Sequence, residues 1–155
     1  MELNTEKMIA EKADGIGWMT FNNPARRNAM SLEMWEGIDT ILEDFENDDS
    51  VRIVVMKGAG GKAFVSGADI SEFKEKRNNA EAAAHYAAVS EGARARLGNL
   101  GKPLIAMIDG FCLGGGLAVA LAADMRFATE QSQFGVPAAR LGIAYGFDGL
   151  RRLVS

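Results

Sequence analysis

Apolar and polar positions along the first fifty residues follow two different periods. Two apolar stretches within 7–21 flank the pair Asp14-Gly15, which favours the tight turn of a β-hairpin. Further along, apolar residues recur every three or four positions and predict a helix over 31–47. Ser31 precedes the first apolar residue of that stripe and can cap the helix. The pattern therefore predicts a hairpin followed by an amphipathic helix.

The rest of the pattern alternates strands with helices. The expected elements are a β-branched strand over 51–56, an Ala-rich helix over 78–100, an apolar strand over 104–108, a helix without polar residues over 117–123, a short strand over 125–129, and a helix that begins at Gly149 behind Asp148 as its cap. Alternation of buried strands and helices is typical of a layered α/β fold. A chain of 155 residues is long enough for one domain with a real core, which we place at 1–155.

Gly114, Gly115 and Gly116 stand between the apolar strand and the helix without polar residues. Glycine allows a backbone to approach a ligand without a side chain in the way. The helix that follows would offer unpaired N–H groups and a partial positive charge at its first turn. We take this turn as the predicted centre of the site, where an anion could be held or a carbonyl polarised.

Asp69 and Glu72 show the spacing of a capping box, with Asp in place of the usual Ser or Thr. The spacing predicts that Asp69 begins a short helix. Ala68 lies just ahead of that helix, so its backbone N–H is the group of functional interest.

Charge and composition narrow the choice of partners. The formal net charge of −4 argues against a nucleic-acid partner, which usually meets a clustered basic excess. Cys112 is the single cysteine, which excludes an internal disulfide framework and fits a reducing compartment. The first residues lack the apolar core of a signal peptide, and no uncharged run is long enough to cross a bilayer. We therefore expect a cytoplasmic protein with no membrane partner.

No metal site is predicted. One histidine, His85, and one cysteine lie far apart in the sequence and form no ligand cluster.

Five blocks of sequence agree with one known family in order and spacing, from about residue 14 to the end. The blocks are Asn22-Asn23-Pro24 with Asn28-Ala29-Met30, the strand and turn at 51–58, the segment 63–69, Asp109-Gly110, and Gly114-Gly115-Gly116. On these blocks the chain resembles the enoyl-CoA hydratase/isomerase (crotonase) family. The resemblance implies an α/β spiral of repeated β-β-α units, the ClpP/crotonase fold. It also implies an acyl-CoA thioester as substrate, with no separate cofactor.

The same resemblance implies a homo-oligomer, a trimer or hexamer in full-length members. Family members continue past the helix at 149–153 into further helices that cover the acyl pocket and build the trimer. The chain is therefore expected to be incomplete at its C-terminus and to lack this trimerisation region, or to cover its apolar face with another subunit. In isolation it should expose a large apolar patch.

The resemblance also implies an oxyanion hole made by the backbone N–H groups of Ala68 and Gly115, with Gly114 and Gly116 beside the substrate. Reactions of this family pass through a thioester enolate, whose oxygen gains negative charge. Fixed N–H donors stabilise that charge without reorganising, and removing one typically costs about 3–4 kcal/mol of barrier. Arg26 and Lys62 are candidate contacts for the CoA phosphates, although a solvated surface role is open for each.

Two positions depart from the hydratase pattern. Hydratases of the family place glutamates where this chain has Ala118 and Ala138. Alanine cannot hold or deliver a proton, whereas the paired carboxylates position and activate water. Hydration by two glutamates is therefore not expected, nor is an isomerase that uses the second one. Both alanines are expected to line the substrate site.

Decarboxylation of a malonyl-type thioester is one remaining possibility, because it requires enolate stabilisation but no strong base. The segment 141–145 resembles that of methylmalonyl-CoA decarboxylases, with Tyr145 at the position of their active-site tyrosine. Those enzymes keep an acidic residue where this chain has Ala118. Asp148 could replace the missing acid or simply cap its helix. A non-catalytic protein that binds acyl-CoA is the other alternative.

Overall fold

One unit, two strands followed by a helix, repeats four times within the described part of the chain. The computed structural model describes residues 1–72, 78–142, 144 and 146–154. The units are β1 (Met8–Ala13), β2 (Ile16–Phe21) and α1 (Leu32–Glu46); β3 (Ile53–Gly58), β4 (Ala63–Val65) and α2 (Ala80–Gly98); β5 (Leu104–Ile108), β6 (Phe111–Leu113) and α3 (Gly115–Leu121); β7 (Met125–Ala128), β8 (Gln133–Gly135) and α4 (Phe147–Val154). The spiral of β-β-α units implied by the resemblance is thus confirmed.

The two strands of most units enter different sheets. Strands β1, β2, β3, β5 and β7 form the larger sheet in that order, and β4, β6 and β8 form a three-stranded sheet. The hairpin β1–β2 is antiparallel, while the other pairs of both sheets are parallel. The spiral therefore stacks successive units side by side, and the short sheet brings their second strands together.

The first unit forms as the pattern predicts. Asp14 and Gly15 adopt positive φ angles of 54° and 83°, as a tight hairpin turn requires. Ser31 caps α1 by accepting a hydrogen bond from the backbone N–H of Met34 at 3.4 Å. Local turn and capping chemistry is enough to specify this part of the chain.

The core lies between the sheets and the helices α1 and α2. Phe21 and Phe64 are fully buried and meet edge to face, with ring centroids 5.3 Å apart. The apolar stripe of α1 faces the same core, where Ile38, Leu42 and Phe45 are fully buried. Burial of these large side chains supplies the main stabilisation of the fold.

The last unit is much more exposed than the first three. Met125 and Phe127 of β7 are 52% and 55% exposed, and Phe134 of β8 is 50% exposed. Apolar side chains are therefore exposed on both strands of this unit. Among the described residues, no helix combines the length and hydropathy needed to cross a membrane.

The beginning of the last helix differs from the prediction. Helix α4 begins at Phe147, so Asp148 lies in its first turn and is not its cap. Gly146 precedes the helix, and glycine is also accepted at the N-cap position. The cap assigned to Asp148 is therefore wrong.

Candidate active site

The turn at Gly114 joins β6 to α3. Gly114 adopts φ +52° and ψ −117°, and its N–H donates to the Gly135 carbonyl at 2.8 Å. A Cβ on Gly116 would stand 2.2 Å from the Val65 carbonyl oxygen, so only glycine allows α3 to pack this closely on β4. The three glycines thus form a strand-to-helix turn, as predicted, and Gly115 is the first residue of the helix.

A second segment of backbone is held beside this turn by an isolated parallel bridge between Met30 and Ala68. The Met30 N–H donates to the Gly67 carbonyl at 2.8 Å, and the Asp69 N–H donates to the Met30 carbonyl at 2.9 Å. The backbone groups engaged by these bonds belong to Gly67 and Asp69, the residues on either side of Ala68. Within the described residues, the N–H of Ala68 itself has no hydrogen-bond acceptor.

Asp69 begins and caps a short 3-10 helix, Ile70–Glu72, as predicted, but the reciprocal bond from Glu72 that completes a capping box does not form. A carboxylate oxygen of Asp69 accepts from the N–H and the hydroxyl of Ser71, at 3.0 and 2.6 Å. Glu72 instead accepts from the N–H of Leu32 at 2.9 Å, at the start of α1. The reason is that residues 70–72 make only one 3-10 turn, whereas the first turn of α1 offers unpaired donors nearby. Glu72 therefore ties the Ala68 segment to α1.

The two segments meet at one cavity. A Cβ on Gly114 would lie 3.9 Å from the Cα of Gly67, which places the segments in contact. Ala68 and Gly115 both line a cavity of roughly 920 Å³, a volume suited to a ligand of cofactor size. As the first residue of α3, Gly115 also has an N–H without an acceptor in the described chain. The cavity is thus faced by two residues whose backbone donors are unpaired.

The other residues singled out from the sequence divide into two groups. Ala118 lines the cavity, one turn of α3 beyond Gly115. Ala138 is half-buried in the 3-10 turn Pro137–Leu141 and is absent from the described cavity wall. The structure therefore brings together Ala68, Gly115 and Ala118 on the cavity wall, and Ala138 directly follows Pro137, whose Cδ is 3.9 Å from the place where a Cβ would stand on Gly114.

Arg26 and Lys62 are exposed and do not line the cavity as described. Arg26 nevertheless lies near the Ala68 segment, because its carbonyl accepts from the Ser66 hydroxyl at 3.4 Å. Tyr145 and the side chain of Asp148 lie outside the described residues.

Sequence reasoning missed the polar wall of the cavity. Trp35 donates from its indole Nε1 to the hydroxyl of Tyr86 at 3.2 Å, and both side chains are buried. The guanidinium of Arg94 lies over the Trp35 ring, 5.7 Å from its centroid, and Glu91 lines the same cavity. The hydrophobic pattern of the sequence marks Trp35 and Tyr86 only as apolar positions of their helices. A buried indole or phenol requires a polar partner, and that requirement was the available signal.

The single cysteine is not part of the site. Cys112 is fully buried on β6, and burial raises the pKa of its thiol to about 12. A thiol with such a pKa remains protonated at neutral pH and is a poor nucleophile. Among the described residues, no group of three or more His, Cys, Asp or Glu side chains could hold a metal ion.

Comparison with known proteins agrees with this arrangement. The model of the enoyl-CoA hydratase/isomerase family matches residues 11–155. The chain belongs to this family. It is 40% identical over 153 residues to the short-chain-enoyl-CoA hydratase of Clostridium acetobutylicum, covering 99% of this chain and 57% of that protein. It is 33% identical over 148 residues to the crotonyl-CoA hydratase of Syntrophomonas wolfei, covering 96% of this chain and 56% of that protein.

Solved structures of the enoyl-CoA hydratase/isomerase family share the fold. An enoyl-CoA hydratase/carnithine racemase from Magnetospirillum magneticum superposes with a TM-score of 0.90 at 35% identity. The match covers 97% of this chain and 56% of that one. The crotonase fold is therefore confirmed, and the chain spans a little over half the length of the relatives it matches.

Proposed function

We propose that this chain forms the acyl-CoA-binding part of an enzyme that stabilises a thioester enolate. In this proposal the thioester oxygen accepts hydrogen bonds from the N–H groups of Ala68 and Gly115. One observation carries the proposal: two backbone donors without acceptors belong to residues that line the same cavity. Ala68 is exposed and Gly115 is half-buried at the start of α3, so a ligand oxygen that enters the cavity can accept from both N–H groups without displacing a hydrogen bond of the protein.

The donors suit a reaction in which charge develops on oxygen. Hydrogen bonds within β6 and β8 and around Met30 fix the backbone on either side of each donor. Fixed donors stabilise an enolate oxygen without reorganising during the reaction. The proposed hole therefore lowers the barrier of any step that makes or breaks a bond at the carbon beside the thioester.

Hydration by a pair of carboxylates is not part of the proposal. Ala118 lines the cavity at the position where hydratases of the family carry one glutamate, and alanine cannot activate water. A reaction that forms the enolate without a base does not require a carboxylate at the position of Ala118 in the cavity wall.

Ala118 favours decarboxylation as a second candidate reaction. When the bond from the α-carbon to a carboxylate breaks, its electron pair enters the enolate and CO₂ leaves. A proton must then reach the α-carbon. Tyr145 and Asp148 are the candidate donors from the sequence.

The hole is tested by removing one donor without removing bulk. Gly115→Pro eliminates the N–H, and proline is accepted at the first position of a helix. Gly115→Ala is the matched control, because it keeps the N–H and its Cβ would meet Trp35 at an ordinary 4.0 Å. Turnover of a CoA thioester should fall about 100-fold or more in the proline variant and little in the alanine variant. Equal turnover in the two variants would remove Gly115 from the mechanism.

The reaction is identified with two substrates and two readouts. The protein is incubated with crotonyl-CoA and with methylmalonyl-CoA, and hydration and CO₂ release are followed separately. We expect slow or absent hydration, and rapid hydration would contradict the role given to Ala118. Loss of CO₂ release in Tyr145→Phe would support decarboxylation with that residue as proton donor. Thioester binding without either product would identify a non-catalytic acyl-CoA-binding protein.

A further inference from the structure

Arg94 places a cation on the wall of the cavity that Ala68 and Gly115 also line. Its side chain is half-buried, and its guanidinium lies 5.7 Å from the centroid of the Trp35 ring. The Cζ2 atom of the same indole lies 4.0 Å from the place where a Cβ would stand on Gly115. One aromatic side chain therefore adjoins both the first residue of α3 and the cation.

Arg94 differs from Arg96, two residues later on the same helix, in having no acidic partner for its charge among the described ion pairs. Arg96 lies on another face of α2 and forms ion pairs with Asp39 at 3.1 Å and Glu46 at 3.7 Å. None of the ion pairs formed by the described residues includes Arg94. Arginine usually forms paired hydrogen bonds with carboxylate or phosphate groups, so this half-buried guanidinium has the capacity to bind an anion.

The other charges on the cavity leave a positive excess. Glu91 lines the cavity one helical turn before Arg94, and Arg151 and Arg152 of α4 also line it. Because Arg151 already interacts with another group of the protein, the charges of the described lining residues that bear on a ligand are those of Arg94 and Arg152 against Glu91. The local field therefore favours a ligand that carries negative charge inside the cavity.

We infer that the site prefers CoA thioesters whose acyl group ends in a carboxylate, with Arg94 as the partner of that carboxylate. The inference rests on the proposed acyl-CoA site. The methylene carbons of such an acyl group would lie against the Trp35 indole, and the terminal carboxylate would reach the guanidinium above that ring. Arg94 is thus a specificity-determining residue for a dicarboxylic acyl group.

Binding of two matched thioesters tests the inference. Glutaryl-CoA and pentanoyl-CoA have five acyl carbons each and differ in the terminal carboxylate. Titration calorimetry with the full chain should show glutaryl-CoA binding about tenfold more tightly, as expected for a hydrogen bond to a charged group at a half-exposed position. Free CoA, titrated in parallel, reports the contacts made by the CoA moiety without an acyl group.

Variants of the two arginines separate recognition from packing. Arg94→Met should remove the preference for glutaryl-CoA, while Arg94→Lys should retain part of it. Arg96→Met is the matched control, because Arg96 carries the same charge on the same helix and its ion pairs are with α1. It should leave the preference unchanged. Glu91→Gln should increase the preference, since it removes the carboxylate that opposes an anionic ligand.

The failures of the two proposals are distinguishable. If both thioesters bind equally well to the wild-type protein, the inference about Arg94 is overturned and the acyl-CoA site stands. If Arg94→Met weakens free CoA as much as glutaryl-CoA, Arg94 contacts the CoA moiety and the inference is wrong. If neither thioester binds, the proposed acyl-CoA site fails and this inference fails with it. Circular dichroism of each variant confirms that its fold is retained.

Discussion

Strands β3 and β7 lie in the same parallel sheet and yet have opposite surroundings. Val54 and Met56 of β3 are completely buried, whereas Met125 and Phe127 of β7 are more than half exposed. The residue types are similar, and each strand pairs with β5 in parallel register. The difference arises because β3 lies between β2 and β5 with its side chains in the core cluster, while β7 lies at an edge of the sheet. Hydrophobicity along a strand therefore indicates what can be buried, and the layers that pack on it decide what is buried.

The largest expected effect compares a phenylalanine of the core, Phe64 on β4, with an exposed one on β7, Phe127. Phe64→Ala should reduce the free energy of unfolding by about 3–5 kcal/mol, because it leaves a cavity beside the Phe21 ring in the core. Phe127→Ala is the matched control and should cost less than about 1 kcal/mol, because the side chain is 55% exposed. Urea denaturation measures both. A cost at position 127 as large as at position 64 would show that β7 is covered in solution.

Two helical glycines, one packed against backbone and one with open space around it, give a smaller test of how covering layers decide the effect of a substitution. Gly116→Ala should cost about 2 kcal/mol or more in unfolding free energy, because the added Cβ would overlap the backbone of Val65. Gly92 lies within α2 with nothing within 4 Å of a Cβ. Gly92→Ala should therefore raise the stability by about 0.5–1 kcal/mol. Thermal or urea unfolding of the two variants should give opposite signs, and equal signs would contradict the packing of α3 on β4.

The smallest effect concerns an exposed ion pair between the hairpin and the end of α1. Lys12 donates to a carboxylate oxygen of Asp48 at 2.6 Å, which holds the pKa of Asp48 well below its ordinary value of 3.8. A lowered carboxyl pKa adds stability above about pH 4, and this contribution is lost as the pH falls through the folded-state pKa. Lys12→Met should raise the pKa of Asp48 toward its ordinary value.

The measurement is an NMR titration of the Asp48 carboxyl resonance in the wild-type and variant proteins. A second measurement is the difference in unfolding free energy between the wild-type and Lys12→Met proteins. This difference should shrink as the pH falls below 4. Lys7 pairs with Glu33 instead, so Lys7→Met serves as the control variant and should leave the Asp48 resonance unchanged. An unchanged Asp48 pKa in Lys12→Met would contradict the pairing.

The features that were predictable from the sequence are those set by neighbouring residues. Asp14-Gly15 specifies the hairpin, Ser31 caps α1, and the three glycines mark the turn into α3. The crotonase fold itself was reached through motif resemblance, because β4, β6 and β8 have only three residues each and show no readable period.

The features that sequence reasoning missed depend on contacts between distant segments. Glu72 bonds to the N–H of Leu32, and Trp35 bonds to Tyr86. No local pattern distinguishes these partners from other acidic or aromatic residues nearby. The polar wall of the cavity, including Arg94, exists only after α1 and α2 have packed together.

The arrangement of the larger sheet also has a consequence for how the chain folds. The hairpin pairs neighbouring residues, with Ala13 opposite Ile16, and can form within microseconds. The parallel pairs join distant residues, such as Ile16 with Ile53 and Val54 with Leu104. Each such pair must close a long loop before its contacts stabilise it. We therefore expect folding to be slow for a chain of this size, with the hairpin as the early element and the parallel strands added after it.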